Sequence, residues 1–487
     1  MPRDDDAAEP VGSRGQPLLD YPVKPLDYPV KRRHPLVSPD YPALVGGEPV
    51  ARVRLPDGSV AWLVTGYDEC RQALTHASVS ADSSRPGFPT LVTRPRRPPL
   101  AAEGPNQVNA NRTFMHMDPP HHDSIRRILQ ANFSPSSVQA LDPMLRRTAD
   151  DLIRGMIDAG PGADLIASFA APFPSLVICE VLGIPLRDRE MFERETHRVL
   201  AFSDSPRVGI RALRVVNDYL AELIASAEPD RADDLIGRLV RECLWTGKLR
   251  REELLATVRL VLMAGLETTA SMIGLGFARL LDDPELYYSV RDDPDNVPGA
   301  VEELLRFDTI IHHGIRRIAL DDFTLGTARI HRAEGIIICV AAGNWDPRTF
   351  DRPDQIDFHR KAARNHLSFS GGVHYCVGHI LARAELRIAL SSITCAFPGL
   401  RPARPVEDIP FREDAFVYGP RELPVTWLYP GLFVSMVRGR RWVEYLFSAP
   451  RRPGGASQYC LETDVEYCEG SAQVPERLPG GAGIRRQ

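Results

Sequence analysis

The chain has 487 residues and a formal net charge of −5. A balance that near neutrality offers no broad basic surface, so nucleic acid is not an expected partner. No apolar run approaches the ~18 residues of a spanning helix, so membrane insertion is not expected either. Eight cysteines are scattered without a CxxC pair, which fits a reducing compartment and argues against a zinc site or a disulfide framework. The start is acidic and polar and lacks a signal-peptide apolar core, so the expected location is cytoplasmic.

Residues 1–27 read as a disordered arm with a local duplication, LDYPVK at 19–24 and again at 26–31, too short to be an architectural repeat. From 28 to 430 the pattern is continuously globular. Residues 50–66 alternate apolar and polar around a PDG turn signal and predict a hairpin. Residues 86–114, rich in Pro, Arg and Asn, predict a long loop, and such loops inside compact domains are often functional. Helical spacing predicts helices over 119–132, 137–159, 164–183, 187–202, 207–227, 232–244, 251–282, 295–306 and 376–396. Short strands are expected at 315–319, 329–331, 336–341 and 414–427, the last around a Gly-Pro turn. The sum is mainly α with small β-sheets. Residues 431–487 form an extension: an apolar, basic stretch that could dock or be weakly structured, then Gly- and Pro-rich sequence that reads as disorder.

Four stretches carry chemistry. FSGGVHYCVG (369–378) places one thiol, Cys376, on a glycine-rich loop at the mouth of a helix. A helix N-terminus supplies unpaired N–H groups and a positive dipole end. Both favour the thiolate, the useful ligand form of cysteine. Gly371, Gly372 and Gly378 leave room for something flat. These features fit a proximal ligand for haem iron, and equally a reactive nucleophile or an inert capped cysteine. In LVLMAGLETTASMIGL (260–275), Ala264 and Gly265 leave a small-residue gap in the longest helix, although a mid-helix glycine costs about 1 kcal/mol. Thr268 can turn its hydroxyl onto a carbonyl of the preceding turn, and with Glu267 it could hold and relay protons. A close helix crossing is the competing explanation.

Glu303 and Arg306 in VEELLRF (301–307) stand i,i+3 and can pair, a commonplace contact when exposed. In MDPPHHDSIRRIL (117–129), Pro119 and Pro120 suit a first helical turn. His122 and Arg126 then share a face, which could meet two carboxylates or form a solvated basic surface. The pairs His121/His122 and His312/His313 do not read as a metal site, because no carboxylate or cysteine spacing completes one. There is no G-x-x-x-x-G-K-S/T, no H-E-x-x-H and no convincing dinucleotide fingerprint. Electrons are therefore not expected from a flavin or nicotinamide domain within this chain.

Together these stretches resemble the cytochrome P-450 superfamily, and look most like soluble actinobacterial members that modify secondary metabolites. FSGGVHYCVG resembles the cysteine-ligand signature F-G-x-G-x-H-x-C-x-G at Phe369, Gly372, His374, Cys376 and Gly378. Ser370 replaces the usual Gly, and a local backbone adjustment is expected there. LARAEL at 381–386 continues the likeness. Residues 264–269 resemble A-G-x-D/E-T-T at every defined position. Glu303 and Arg306 match E-x-x-R, which in the family is buried, braces the cysteine loop and is usually completed by another Arg. Gln355 stands where many relatives carry that Arg, and Arg360 is the expected substitute. Residues 118–127 resemble D-P-P-x-H-x-x-x-R-R, and Arg317 lies where relatives supply a further propionate arginine. The motifs fall in the right order across roughly residues 28–430.

The resemblance implies a triangular-prism cytochrome P-450 fold. Haem b (iron protoporphyrin IX) would lie between the 251–282 helix and the 376–396 helix. It implies Cys376 as the iron ligand, with His122, Arg126, Arg317 and His374 for the haem carboxylates. Ala264, Gly265, Phe369 and Gly378 would lie against the cofactor. Glu267 and Thr268 would manage protons for O2 activation, and Glu303 and Arg306 would form the structural pair. The implied reaction is a monooxygenase hydroxylating or epoxidising a medium or large, largely apolar organic metabolite. Electrons would come from a separate ferredoxin and ferredoxin reductase, docking near Arg127, Arg364 and Arg383. Substrate-facing residues are expected from the 86–114 loop, Leu260, Met263, the IIHH stretch at 310–313, Phe416 and Val417. The alternatives are a haem-thiolate enzyme of another type (peroxide use, aryl coupling, nitric-oxide reduction) and a non-enzymatic recruitment module.

Overall fold

The computed structural model describes residues 25–44, 46–91, 112–200, 206–227 and 234–427, and the backbone of 433–434 and 444–445. The helices are α1 (Tyr41–Leu44), α2 (Tyr67–Thr75), α3 (His121–Asn132), α4 (Pro135–Ala140), α5 (Asp142–Ala159), α6 (Pro172–Leu182) and α7 (Arg189–Leu200). They continue with α8 (Pro206–Ser226), α9 (Leu235–Leu239), α10 (Arg251–Asp282), α11 (Pro284–Asp292), α12 (Val297–Phe307), α13 (Val340–Gly343) and α14 (His379–Ala396). Strands β1 (Leu26–Asp27), β2 (Val50–Arg54), β3 (Val60–Val64), β4 (Val79–Ser80), β5 (Ile315–Ala319) and β8 (Gly335–Ile338) form one sheet in the order β1-β2-β3-β8-β5-β4. Strands β6 (Phe323–Leu325) and β7 (Ala328–Ile330) make a separate hairpin, and β9 (Arg401–Pro402) pairs with β10 (Val425–Thr426). The expected mainly α architecture with small sheets is what forms.

Helix α10 organises the interior. At 1.5 Å per residue it is about 48 Å long. Glu253 accepts a hydrogen bond from the Arg250 amide (2.9 Å) and so caps its start. Leu262, Leu266, Ile273 and Phe277 of α10 join Val177 of α6 and Leu386 and Ile393 of α14 in one buried core. An 18-residue window of α10 reaches mean hydropathy 1.5, long and apolar enough to cross a bilayer, and 72% of that window is buried within the protein. This corrects the expectation that no such stretch exists. Arg259 and Glu267 break the helix into shorter apolar runs without removing its apolar average.

Several predicted boundaries move, for local reasons. The helix expected over 137–159 divides into α4 and α5, because Pro143 supplies no amide to continue the ladder. The one expected over 164–183 divides into a π-turn at Ile166–Ala170 and α6, which starts at Pro172. The one over 232–244 becomes α9 and a π-turn at Val240–Leu244, with Asp234 accepting from the Gly237 amide (2.7 Å) at its start. Helices α2 and α11 were not anticipated. Of the strand expected over 414–427 only β10 pairs in a ladder, since Pro420 and Pro424 lack amide donors. Strand β1 lies inside the segment expected to be a disordered arm: its parallel pairing to β2 and the Tyr28 amide on Arg54 O (2.8 Å) tie it to the sheet. The rest of that arm, most of the 86–114 loop and the extension after 430 lie outside the described residues, apart from a two-residue pairing of β11 (Phe433–Val434) with β12 (Glu444–Tyr445).

Candidate active site

The cysteine loop closes on itself, the Cys376 amide donating to Phe369 O (2.9 Å). It threads so close to α2 that a Cβ on Gly372 would lie 2.3 Å from Leu74 O, and Gly372 also has φ +62°. Ser370 has φ +66°, a left-handed conformation that costs an L-residue about 1–2 kcal/mol. The serine therefore adopts the conformation glycine favours, and no local adjustment relieves it; its Oγ is buried without a hydrogen-bond partner. Cys376 precedes α14 rather than sitting in its first turn. Burial pushes the thiol pKa up, and the Gly378 amide, Arg126 and Arg383 offset this only in part. The Gly378 amide at the helix mouth does pull toward the anion as expected, but desolvation outweighs it, and a metal ion on the sulfur would favour the thiolate further. Cys376 is enclosed by protein yet keeps part of its surface accessible, as a side chain bordering internal space does.

A buried network holds this loop. Arg306, fully buried, meets Glu303 in two bonds (2.8 and 2.7 Å) and donates to Asn344 O and Pro353 O, each at 2.9 Å. Arg360 Nε adds a third bond to Glu303 Oε1 (3.0 Å), so Arg360 takes the place that Gln355 leaves. Gln355 contributes only its carbonyl, which accepts from Arg360 (2.8 Å) and Arg306 (3.3 Å). Asn344, which sequence reasoning missed, relays this rigidity: its Oδ1 accepts from the Leu367 amide (2.7 Å) and its Nδ2 donates to Ser368 Oγ (2.9 Å), just before the loop.

The propionate candidates converge. His122 and His374 meet edge to face at 4.4 Å. His122 is fully buried and its Nε2 has no hydrogen-bond partner. Burial, then Arg317, His122 and Arg126, pushes His374 down to about 3. Burial lowers Arg317 to about 10 and also lowers Arg126. His116, unforeseen, joins the cluster and is pushed to about 4 by burial and then Arg316 and Arg317. Asp118, the acid in reach of Arg317, already accepts from Ser80 Oγ and the Ala81 amide. His122 Nδ1 meets Asp123 Oδ1 (2.8 Å), so the demand for an anion with several acceptor oxygens comes from the two desolvated guanidiniums, Arg126 and Arg317.

On α10, Thr268 Oγ1 donates to Ala264 O (2.6 Å), the back-turned bond the sequence implied. Ala264 is exposed although its helix is mostly buried, which marks open space over that face. Gly265 is different: a Cβ there would lie 2.8 Å from Ile178 Cγ1. Its small size serves the crossing with α6, beside the open face at Ala264. Glu267, buried, is ion-paired with Arg412 and lies 3.2 Å from His197 Nδ1. It borders a cavity of about 280 Å³ that His197, Thr196 and Arg412 also line. Neither His197 nor Arg412 was foreseen; Arg412 is 145 residues from Glu267 along the chain, and no spacing links them.

Of the expected docking charges, Arg127 and Arg364 are exposed. Arg383 is not available: it makes two bonds to Glu302 (2.6 and 3.0 Å). Among the expected substrate-facing residues, Leu260, Met263 and Phe416 are half-buried and Val417 is buried. His312 turns its Nε2 to Ala415 O (3.1 Å) and stacks on His313 at 3.6 Å.

An accessible thiol, an open helix face at Ala264 and Thr268, and a cation cluster wanting carboxylates fit a flat iron porphyrin with two propionates. Residues 207–427 match the cytochrome P-450 family. Cytochrome P-450-SU2 of Streptomyces griseolus is 40% identical over 391 residues, covering 80% of this chain and 93% of the relative. The chain belongs to the cytochrome P-450 family, whose members are haem monooxygenases. Within it the chain is also similar to pentalenic acid synthase of Streptomyces avermitilis, 38% identical over 83% of this chain and 98% of that one. The crystal structure of CYP105N1 from Streptomyces coelicolor superposes with TM-score 0.75 at 38% identity, covering 83% of this chain and 99% of that one.

Proposed function

We propose that the protein holds haem b through Cys376 and hydroxylates or epoxidises a medium or large, largely apolar metabolite in natural-product biosynthesis. Electrons would come from a separate ferredoxin and its reductase. The observation that carries the reading is the convergence of the Arg126 and Arg317 guanidiniums on His374, which packs on the fully buried His122 close to the Cys376 loop. Two propionates would supply acceptors for the Arg126 and Arg317 guanidiniums, and the same Arg126 lies within electrostatic reach of Cys376. Relatives bearing names such as pentalenic acid synthase and nocardicin C N-oxygenase support the setting.

Haem, when bound, would be held through Cys376 and would supply dioxygen activation, which a thiolate ligand favours. The chain supplies position and protons. The Glu303–Arg306–Arg360 cluster and Asn344 hold the Cys376 loop in place. Thr268 Oγ1, with its hydrogen committed to Ala264 O, keeps its lone pairs for a donor. Glu267, which borders the cavity lined by His197, Thr196 and Arg412, takes protons from that side and delivers them toward Thr268, while Arg412 and His197 restrain it. Arg127 and Arg364 remain as exposed charges for an acidic electron carrier. A carbon-monoxide difference spectrum of the reduced protein tests the ligand, and Cys376→Ala must abolish the thiolate band. An unchanged band in that variant sinks the assignment. Screening apolar metabolites for a spin-state shift then tests the substrate class.

A further inference from the structure

We propose that Glu302, through Arg383, sets the charge beneath the Cys376 loop and thereby tunes the reduction potential of the iron that Cys376 holds; this rests on the ligand assignment above. Helix α12 carries two consecutive buried glutamates. Adjacent helical side chains diverge by about 100°. Glu303 turns to Arg306 and Arg360, whereas Glu302 turns to α14 and binds Arg383 in two bonds (2.6 and 3.0 Å). His366 completes the group. Its Nδ1 accepts from the Ser368 amide (3.1 Å), which leaves the proton on Nε2, 3.4 Å from Glu302 Oε2 and short of a full hydrogen bond. Burial works against the Glu302 carboxylate, but His366 and Arg383 outweigh it and bring the pKa to about 2, so the residue is anionic at neutral pH.

The pair sits against the ligand loop. The Arg383 guanidinium lies 4.5 Å from the Phe369 ring centroid, and its Nη1 is 2.9 Å from His379 Nδ1. Phe369 O in turn accepts from the Cys376 amide (2.9 Å). The Arg383 charge reaches the sulfur, which it biases toward the anion. A buried ion pair is weak evidence for stability, since apolar packing often serves as well. What such a pair does supply is a fixed field in a poorly screened interior. Reducing the iron adds one electron, and that added negative charge feels the field. Glu302→Gln leaves Arg383 uncompensated, favours the ferrous state and raises the potential. Arg383→Gln leaves the carboxylate uncompensated and lowers it. The double variant restores near-neutrality and lies between them, close to wild type.

The test is an anaerobic spectroelectrochemical titration of the haem-loaded proteins with dithionite as electron donor, beside reduced carbon-monoxide spectra. Opposite shifts in the two single variants, each with the thiolate band retained, are expected. Shifts of the same sign, or no shift with the band intact, overturn the proposal. If a glutamine variant loses haem, Glu302→Asp and Arg383→Lys decide: they keep charge while altering geometry, so their potentials should stay near wild type, and a displaced potential overturns it. A wild-type protein with no thiolate band refutes the ligand assignment instead, which separates the two failures.

Discussion

Arg360→Gln asks whether the second cation on Glu303 acts from position 360. Glu303 is fully buried, and its carboxylate takes two bonds from Arg306, one from Arg360 Nε (3.0 Å) and one from the Asp357 amide (3.1 Å). The substitution deletes one charge-assisted bond, of a kind that contributes about 1.5–3 kcal/mol, together with bonds to the carbonyls of Asp351, Arg352 and Gln355. Arg306 still neutralises the acid, so the loss stays below the roughly 3–5 kcal/mol of a broken buried pair. About 2 kcal/mol is expected for Arg360→Gln, and about 3–5 kcal/mol for Arg306→Gln. Gln355→Ala should cost under about 0.5 kcal/mol, because an exposed side chain that makes no special contact is nearly neutral. Urea unfolding of the haem-loaded protein, followed by far-ultraviolet circular dichroism and Soret absorbance, gives all three values. Arg360→Gln within about 0.5 kcal/mol of wild type, or Gln355→Ala costing more than Arg360→Gln, would refute the reasoning.

Other outcomes follow from the same geometry. Ser370→Gly relieves about 1–2 kcal/mol of left-handed strain against about 0.4–1 kcal/mol of added unfolded-chain entropy, so a small net stabilisation is expected in the same unfolding experiment. Glu267→Gln removes the proton-holding carboxylate, and turnover should fall on the order of 10²-fold while the carbon-monoxide band and substrate-induced spin shift persist. His122→Ala should lower the haem-to-protein ratio on purification, read by pyridine haemochrome assay, with the apoprotein's circular dichroism unchanged. Glu385 has its carboxyl pushed from 4.5 up to about 8, chiefly by burial. Because the folded pKa is raised, its contribution is complete below pH 4.5 and is lost as pH climbs through about 8. Glu385→Gln should flatten the stability profile across that window, and a profile identical to wild type would contradict the assignment.

The chemistry-bearing residues lay within short motifs, so the cysteine loop, the α10 acid–hydroxyl pair and the α12 ion pair were legible as local patterns. Helix α10 was legible at both ends because its apolar pattern continues without a proline from Arg251 to Asp282. The breaks before α5 and α6 followed from Pro143 and Pro172, which the periodic pattern overrode in the reading. Partners were not legible, because they come from far along the chain: Arg383 meets Glu302 across 81 residues and Arg412 meets Glu267 across 145. Nor does a motif letter declare which neighbour requires it. Gly265 looked like clearance for a flat ligand, but Ile178 on α6 is what a side chain there would strike. The same logic explains how position 355 can lack its arginine. The requirement lies in a second guanidinium reaching Glu303 Oε1, and the turn through 351–360 brings Arg360 to that oxygen while Gln355 offers only a carbonyl. What this chain holds at that point is a second positive charge at the carboxylate, and it supplies that charge from position 360.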